Sequence, residues 1–274
     1  MNNFLKRTLT AILFVAILLG CTYYNQLSFV ILFFIITVLG CWEFYRLAEK
    51  NTTDSPQKIL GTTSGAILFI SNALFCMGYV NIQILFINIP FLFILFIVEL
   101  FSKASQPFQN IANTLLGVIY VAIPFSLLNY VLTYTGSYNY EILFGFFFIL
   151  WANDTGAYLV GSAIGKHKLF ARISPGKTWE GTVGGALVSY AVVFIISSKY
   201  TSINKIDWFV IATLLIVMGT LGDLIESLYK RSKNIKDSGN ILPGHGGILD
   251  RFDSLLMATP FVFTYLYFIK FFHL

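Results

Sequence analysis

At 274 residues, 57% of them hydrophobic and 11% charged, with 28 phenylalanines and a mean hydropathy of +0.75, the chain is well beyond the roughly 45–50% apolar content of soluble domains, and a soluble globular fold is excluded. A formal net charge of +5 in so apolar a chain reports topology and not a nucleic-acid partner. Cys21, Cys41 and Cys76 are odd in number and lie inside apolar runs, so they offer neither a disulfide framework nor a CxxC metal motif.

Long apolar runs are then spans, because a helix needs about 20 residues to cross the hydrocarbon core, and the runs lack the short alternating pattern of barrel strands. The opening "MNNFLKRTLTAILFVAILLGC" imitates a signal peptide, and its "LLGC" a lipoprotein cleavage box. Leu19 is bulky for that box and many spans follow, so the stretch is expected to be a first transmembrane helix. Apolar segments fall at about 8–24, 27–45, 62–80, 82–101, 111–131, 141–163, 181–198, 207–226 and 254–272. The predicted fold is an all-α, polytopic transmembrane protein of about nine spans with its amino terminus in the cytoplasm. Threaded this way, every Lys and Arg is cytoplasmic except Lys199, Lys205 and Lys270, a strong positive-inside pattern. The connections 164–180 and 227–253 both face the cytoplasm.

Residues 1–140 are read as an amino-terminal region of about five spans. Its few charges near helix ends, Glu43, Arg46 and Glu99, are expected to snorkel or anchor. Residues 141–274 are read as a carboxyl-terminal catalytic region of about four spans.

Within that region, "WANDTGAYLVGSAIGKHKLFARISPGKTWEG" begins at Trp151. Asp154 lies within an apolar span, where an ionisable group costs about 2.5–3.5 kcal/mol on insertion scales, which favours a functional role. Gly156, Gly161 and Gly165 allow close helix packing. "GSAIGKH" and "ARISPGKT" imitate a P-loop but fail its spacing; the second also lacks its first Gly and is expected to have no strand before it. Lys166, Lys168, Arg172 and Lys177 with Ser174 and Thr178 make a basic, hydroxyl-bearing loop suited to phosphate oxygens, or to anionic headgroups as a topogenic loop. His167 is read as a plain loop residue.

Further on, Asp223 and Glu226 share a helix face, and Lys230 continues it as an ion-pair partner for Glu226. "KDSGNILPGHGGILDRFD" follows, its glycines and proline forbidding a regular helix. Asp250 and Asp253 sit three apart, with Arg251 between them. Several carboxylates beside many bases suit Mg²⁺ with a polyphosphate. His245 could be a general acid or base, a phosphate donor or a structural hydrogen-bonder.

"SLYKRSKNIKDSGNILPGHGGILDRFD", Ser227 to Asp253, closely resembles the signature of the phosphatidate cytidylyltransferases, or CDP-diacylglycerol synthases. The Ser, the Lys-Arg pair, Lys-Asp, the Pro-x-His-Gly-Gly turn and Asp-Arg-x-Asp are all present. Tyr229 is a soft departure, at a position usually aliphatic or Phe. The stretch from Trp151 is similar to the family's other characteristic segment, with Asp-Thr, Gly-Lys and Ser-Pro-x-Lys-Thr. Detailed resemblance covers about residues 151–254.

The resemblance implies transfer of cytidylyl from CTP to phosphatidate in a cell membrane, with the active site facing the cytoplasm, Mg²⁺ and room for a second cation, and a homodimer. It implies Asp223 and Asp250 as metal ligands, and Asp154 and Asp253 as their supports or as ligands of the second cation. Lys177, Ser174, Thr178, Lys230, Arg231, Lys236, Arg251 and His245 are implied substrate contacts, with Lys177 and His245 counted among the catalytic residues beside the two aspartates. Two other functions fit the residues alone: a transporter or flippase using intramembrane carboxylates, and a cytidylyltransferase for another lipid phosphate. The Asp-Gly-x-x-Ala-Arg pattern of phosphoalcohol transferases is not found.

Overall fold

The computed structural model describes residues 3–51, 55–236, 238–239 and 246–272. Among them, eight helical segments are long and apolar enough to cross a membrane, and a shorter apolar helix runs Thr8–Tyr24. The polytopic helical class holds. Helix ends move by a few residues from the hydropathy reading: the third helix runs Lys58–Cys76 where 62–80 was expected, because a helix can start on polar residues that neighbouring helices cover.

The chain forms two compact units, residues 1–130 with 232–252, and residues 131–231 with 253–274. The first holds α1 (Asn3–Tyr24), α2 (Gln26–Ala48), α3 (Lys58–Cys76), α4 (Asn88–Leu100) and α5 (Pro107–Gly117), which passes through a π-helical stretch, Val118–Ala122, into α6 (Ile123–Leu132), whose last two residues are counted with the second unit. Asn25 alone separates α1 from α2. Its side chain accepts from Ser28 N–H at 2.8 Å while the Ser28 hydroxyl takes the Asn25 N–H, a reciprocal cap that starts a new helix without a longer loop. Phe33, Phe125 and Phe252 meet edge to face in the core, with centroids 5.4 to 6.1 Å apart.

Glu43 and Glu99 do not snorkel: they are 3% and 5% exposed. Glu99 accepts from Gln57 Nε2 at 2.6 Å and Asn110 Nδ2 at 2.9 Å, so both of its oxygens have a donor, as a buried carboxylate requires. Hydropathy misplaces both acids because it counts nearness to a helix end and cannot see amide donors from other segments.

The second unit contains α7 (Tyr140–Ile164), a hairpin of β1 (Lys168–Phe170) and β2 (Ser174–Thr178), α8 (Trp179–Lys199), α9 (Lys205–Ser232) and the part of α10 (Leu249–Phe272) from Asp253 on. The hairpin is antiparallel, pairing Lys168 with Thr178 and Phe170 with Ser174. A strand therefore does precede the "SPGKT" segment, contrary to the reading from sequence. That segment is itself a strand, so its backbone cannot wrap a phosphate as a P-loop does.

Helices α7 and α8 meet backbone to backbone. A Cβ on Gly156 would come within 3.0 Å of Gly185 Cα, one on Gly181 within 3.1 Å of Gly161 Cα, and one on Gly185 within 2.5 Å of the Asn153 carbonyl. Small residues permit such approach where apolar burial supplies no drive between helices. Gly185→Val should destabilise the protein by about 1–3 kcal/mol through overpacking, read as a lowered thermal midpoint by circular dichroism in detergent. An unchanged midpoint would show that the seam can open.

Candidate functional site

Strand β2 ends at Thr178, whose side chain accepts from Gly181 N–H at 3.1 Å and caps α8. Capping of this kind fixes where the helix starts, and so fixes Lys177, one residue before the cap. The other end of the connection is closed by Glu180 in the first turn of α8, which accepts from the Lys166 and His167 N–H groups and lies 2.6 Å from His167 Nδ1. His167 is thus part of the hairpin's closure, and Glu180 is a contributor that the sequence did not flag.

Lys177 Nζ lies 2.6 Å from Asp223 Oδ2 on α9. Both side chains remain about a quarter to a third accessible, at 26% and 34%. They line a cavity of about 450 Å³ together with Asp154, Ser174, Thr178, Thr182 and Thr220, a volume suited to a small-molecule site. Five residues singled out from sequence, Asp154, Ser174, Lys177, Thr178 and Asp223, are therefore brought to one place. The Ser227 hydroxyl donates to Asp223 Oδ1 at 3.3 Å. Gly222 is flush against the Asp253 carbonyl, which a Cβ would meet at 2.6 Å, so the backbone carrying Asp253 is tight against the turn before Asp223.

Lys230 pairs with buried Glu226 at 2.6 Å, the i, i+4 rung expected from sequence. Arg231, Lys236 and Arg251 are exposed. His245 lies outside the described residues.

Asp250 belongs to the first unit, and there it grips its own loop. Its Oδ2 accepts from Gly247 N–H at 2.8 Å and Ser238 N–H at 3.1 Å. Glu43, on α2, does the same from the other side. It accepts from Ile248 N–H at 2.8 Å, Leu249 N–H at 3.1 Å and the Ser238 hydroxyl. The Ile248 and Leu249 amides open α10, where N–H groups lack intrahelical partners and an acid is favoured. Gly246 has φ +85°, a conformation open to glycine, and Gly247 leaves no room for a Cβ between Glu43 and Ser238. The Lys233 ammonium donates to the Ala48 carbonyl at 2.8 Å and Asn51 Nδ2 to the Lys233 carbonyl at 2.6 Å, so α2 holds this segment at both ends.

Carboxylate oxygens, hydroxyls and a lysine thus line one cavity in a protein of apolar helices, donor types that suit hard cations and anionic oxygens. A sequence profile of the Cytidylyltransferase family matches residues 5–269, and the chain belongs to that family. Relatives named phosphatidate cytidylyltransferase match it nearly end to end. The protein of Haemophilus influenzae is 33% identical over 96% of this chain and 98% of its own length, and that of Bacillus subtilis is 32% identical over 94% and 96%. The relative from Staphylococcus saprophyticus is 43% identical over 170 residues, which span 61% of this chain and 64% of that protein.

A partly accessible ion pair contributes up to about 1 kcal/mol, so Asp223→Asn and Lys177→Gln should each shift the thermal midpoint by only a few degrees. Gly247→Ala, which forces Glu43 and Ser238 apart, should cost about 1–3 kcal/mol. The reverse ranking in detergent unfolding would mean that the pair, and not the turn, carries the local stability.

Proposed function

We propose that the cavity around Lys177 and Asp223 serves the transfer of the cytidylyl group of CTP to phosphatidate, giving CDP-diacylglycerol and pyrophosphate. That reaction rests on family membership and on the names of the end-to-end relatives. The observation that carries the site is the 2.6 Å pair of Lys177 and Asp223 inside a hydroxyl-lined cavity with a second carboxylate, Asp154. The transporter reading has no support in the family match.

In the reaction, a phosphatidate oxygen attacks the α-phosphorus of CTP. A new P–O bond forms, the bond from that phosphorus to the oxygen bridging it to the β-phosphate breaks, and pyrophosphate departs with the electron pair. The nucleophile is an ionised phosphate and needs no base to activate it. The main barrier is electrostatic, since two polyanions must be brought together and aligned. Lys177 is proposed to bind and orient phosphate oxygens with Ser174 and Thr178, and the Thr182 hydroxyl lines the same cavity as a further donor. Lys230, Arg231, Lys236, Arg251 and His245 are proposed to share the remaining charge, on the resemblance.

The carboxylate donors fit a hard cation, and Mg²⁺ is the proposed one. Asp223 and Asp250 are its proposed ligands on the resemblance, and Asp154 and Asp253 either steady them or take a second cation. Among the described residues no group of three or more His, Cys, Asp or Glu is arranged to hold a metal ion. Mg²⁺ commonly takes one or two carboxylates and completes its shell with water and substrate phosphates. When bound, the ion withdraws charge from phosphate oxygens. The protein is further proposed to act as a homodimer in the cell membrane, with the site at its cytoplasmic face, where a soluble nucleotide and a bilayer-bound lipid can both reach it.

Purified protein given Mg²⁺, labelled CTP and a panel of lipid phosphates should form CDP-diacylglycerol from phosphatidate, and chelation should stop it. Asp223→Asn and Asp250→Asn should each lower kcat on the order of 100-fold or more, with folding retained. Preference for another lipid phosphate would move the substrate assignment, and full activity in both variants would remove the metal assignment.

A further inference from the structure

The strongest feature outside the cavity is the grip of α2 on the segment that follows α9. Glu43 is 3% exposed, and its two oxygens receive three donors from the segment between α9 and α10 and the start of α10: the Ser238 hydroxyl and the Ile248 and Leu249 amides. A buried carboxylate is costly unless its donors are all in place, and an apolar side chain of similar size would pack α2 as well. What the carboxylate supplies is geometry.

Ser238 is the link. Its hydroxyl donates to Glu43 while its N–H donates to Asp250 Oδ2 at 3.1 Å. The other amide on Asp250, Gly247 N–H at 2.8 Å, belongs to a residue wedged against Glu43 and Ser238. Among the described residues, these two amides on the Asp250 carboxylate are therefore themselves held by Glu43. We infer that Glu43 is a positioning residue for Asp250, setting the orientation in which that carboxylate meets a divalent cation. The inference rests on the reading of Asp250 as a ligand of the proposed Mg²⁺. Groups that orient a metal ligand without touching the metal typically change its affinity 10- to 100-fold when removed.

The test uses the full chain in detergent and Mn²⁺ alone as the probe, with free Mn²⁺ read by electron paramagnetic resonance in the absence of nucleotide. Glu43→Gln and Ser238→Ala should each raise the Mn²⁺ Kd by about 10-fold or more. In turnover, the half-saturating Mg²⁺ should rise by a similar factor while KM for phosphatidate stays put, and Glu43→Asp should recover part of the loss. Ser238→Ala removes one hydroxyl and decides the matter should Glu43→Gln fail to accumulate in folded form. A wild-type Mn²⁺ Kd in the folded variants, with Asp250→Asn losing the ion, overturns the positioning role alone. Wild-type Mn²⁺ binding by Asp250→Asn overturns the ligand reading and the inference with it.

Discussion

Irregular backbone beside a membrane must find partners for its N–H and C=O groups within the protein, and here one carboxylate meets much of that demand. Glu43 gathers the Ile248 and Leu249 amides and the Ser238 hydroxyl from residues about two hundred positions away in the chain. An unsatisfied buried donor costs about 1–3 kcal/mol, so leaving these groups unpaired would undo the turn at Gly246 and Gly247. This is why residues 232–252 belong to the same compact unit as the amino-terminal helices. The half of the chain that looks chemically plain is the support for its most chemically dense segment.

The second unit solves a different problem, holding a flexible lysine at a defined place. A strand of five residues, a threonine cap and the closure by Glu180 leave Lys177 little freedom in its backbone. Its ammonium then settles on Asp223, where opposite charges in partly dry surroundings attract more strongly than in bulk water. Lysine suits this use because its charge sits on a long stem that can reach from one anion to another without moving the main chain.

Much of this was legible from the residues. Nine apolar segments were recoverable because span length is fixed by bilayer thickness, and the observed eight long helices and one shorter apolar helix match them in number among the described residues. Asp154, Ser174, Lys177, Thr178 and Asp223 stood out through their cost in an apolar chain or their density in a basic connection, and all five line one cavity. The roles of Glu43 and Glu99 were not legible, because a lone acid near a helix end has the same local pattern whether it reaches solvent or a distant amide. The hairpin was missed since strands of three and five residues carry too little alternation to register against a turn-rich background. Glu180 escaped for a related reason: beside the His167 ring its partners are main-chain groups, which no side-chain motif records.

The glycine seam between α7 and α8 has an entropic consequence. Gly156, Gly161, Gly181 and Gly185 present backbone where other helix pairs present rotamers, and where Gly161 and Gly181 line the cavity there are no side-chain torsions left to freeze when a ligand arrives. Ordering side chains at a binding surface usually costs about 0.5–1.5 kcal/mol for each flexible one. At these two glycines that cost does not arise, and the loss of freedom on binding is concentrated in the long side chains of the lining, Lys177 and Tyr158 among them.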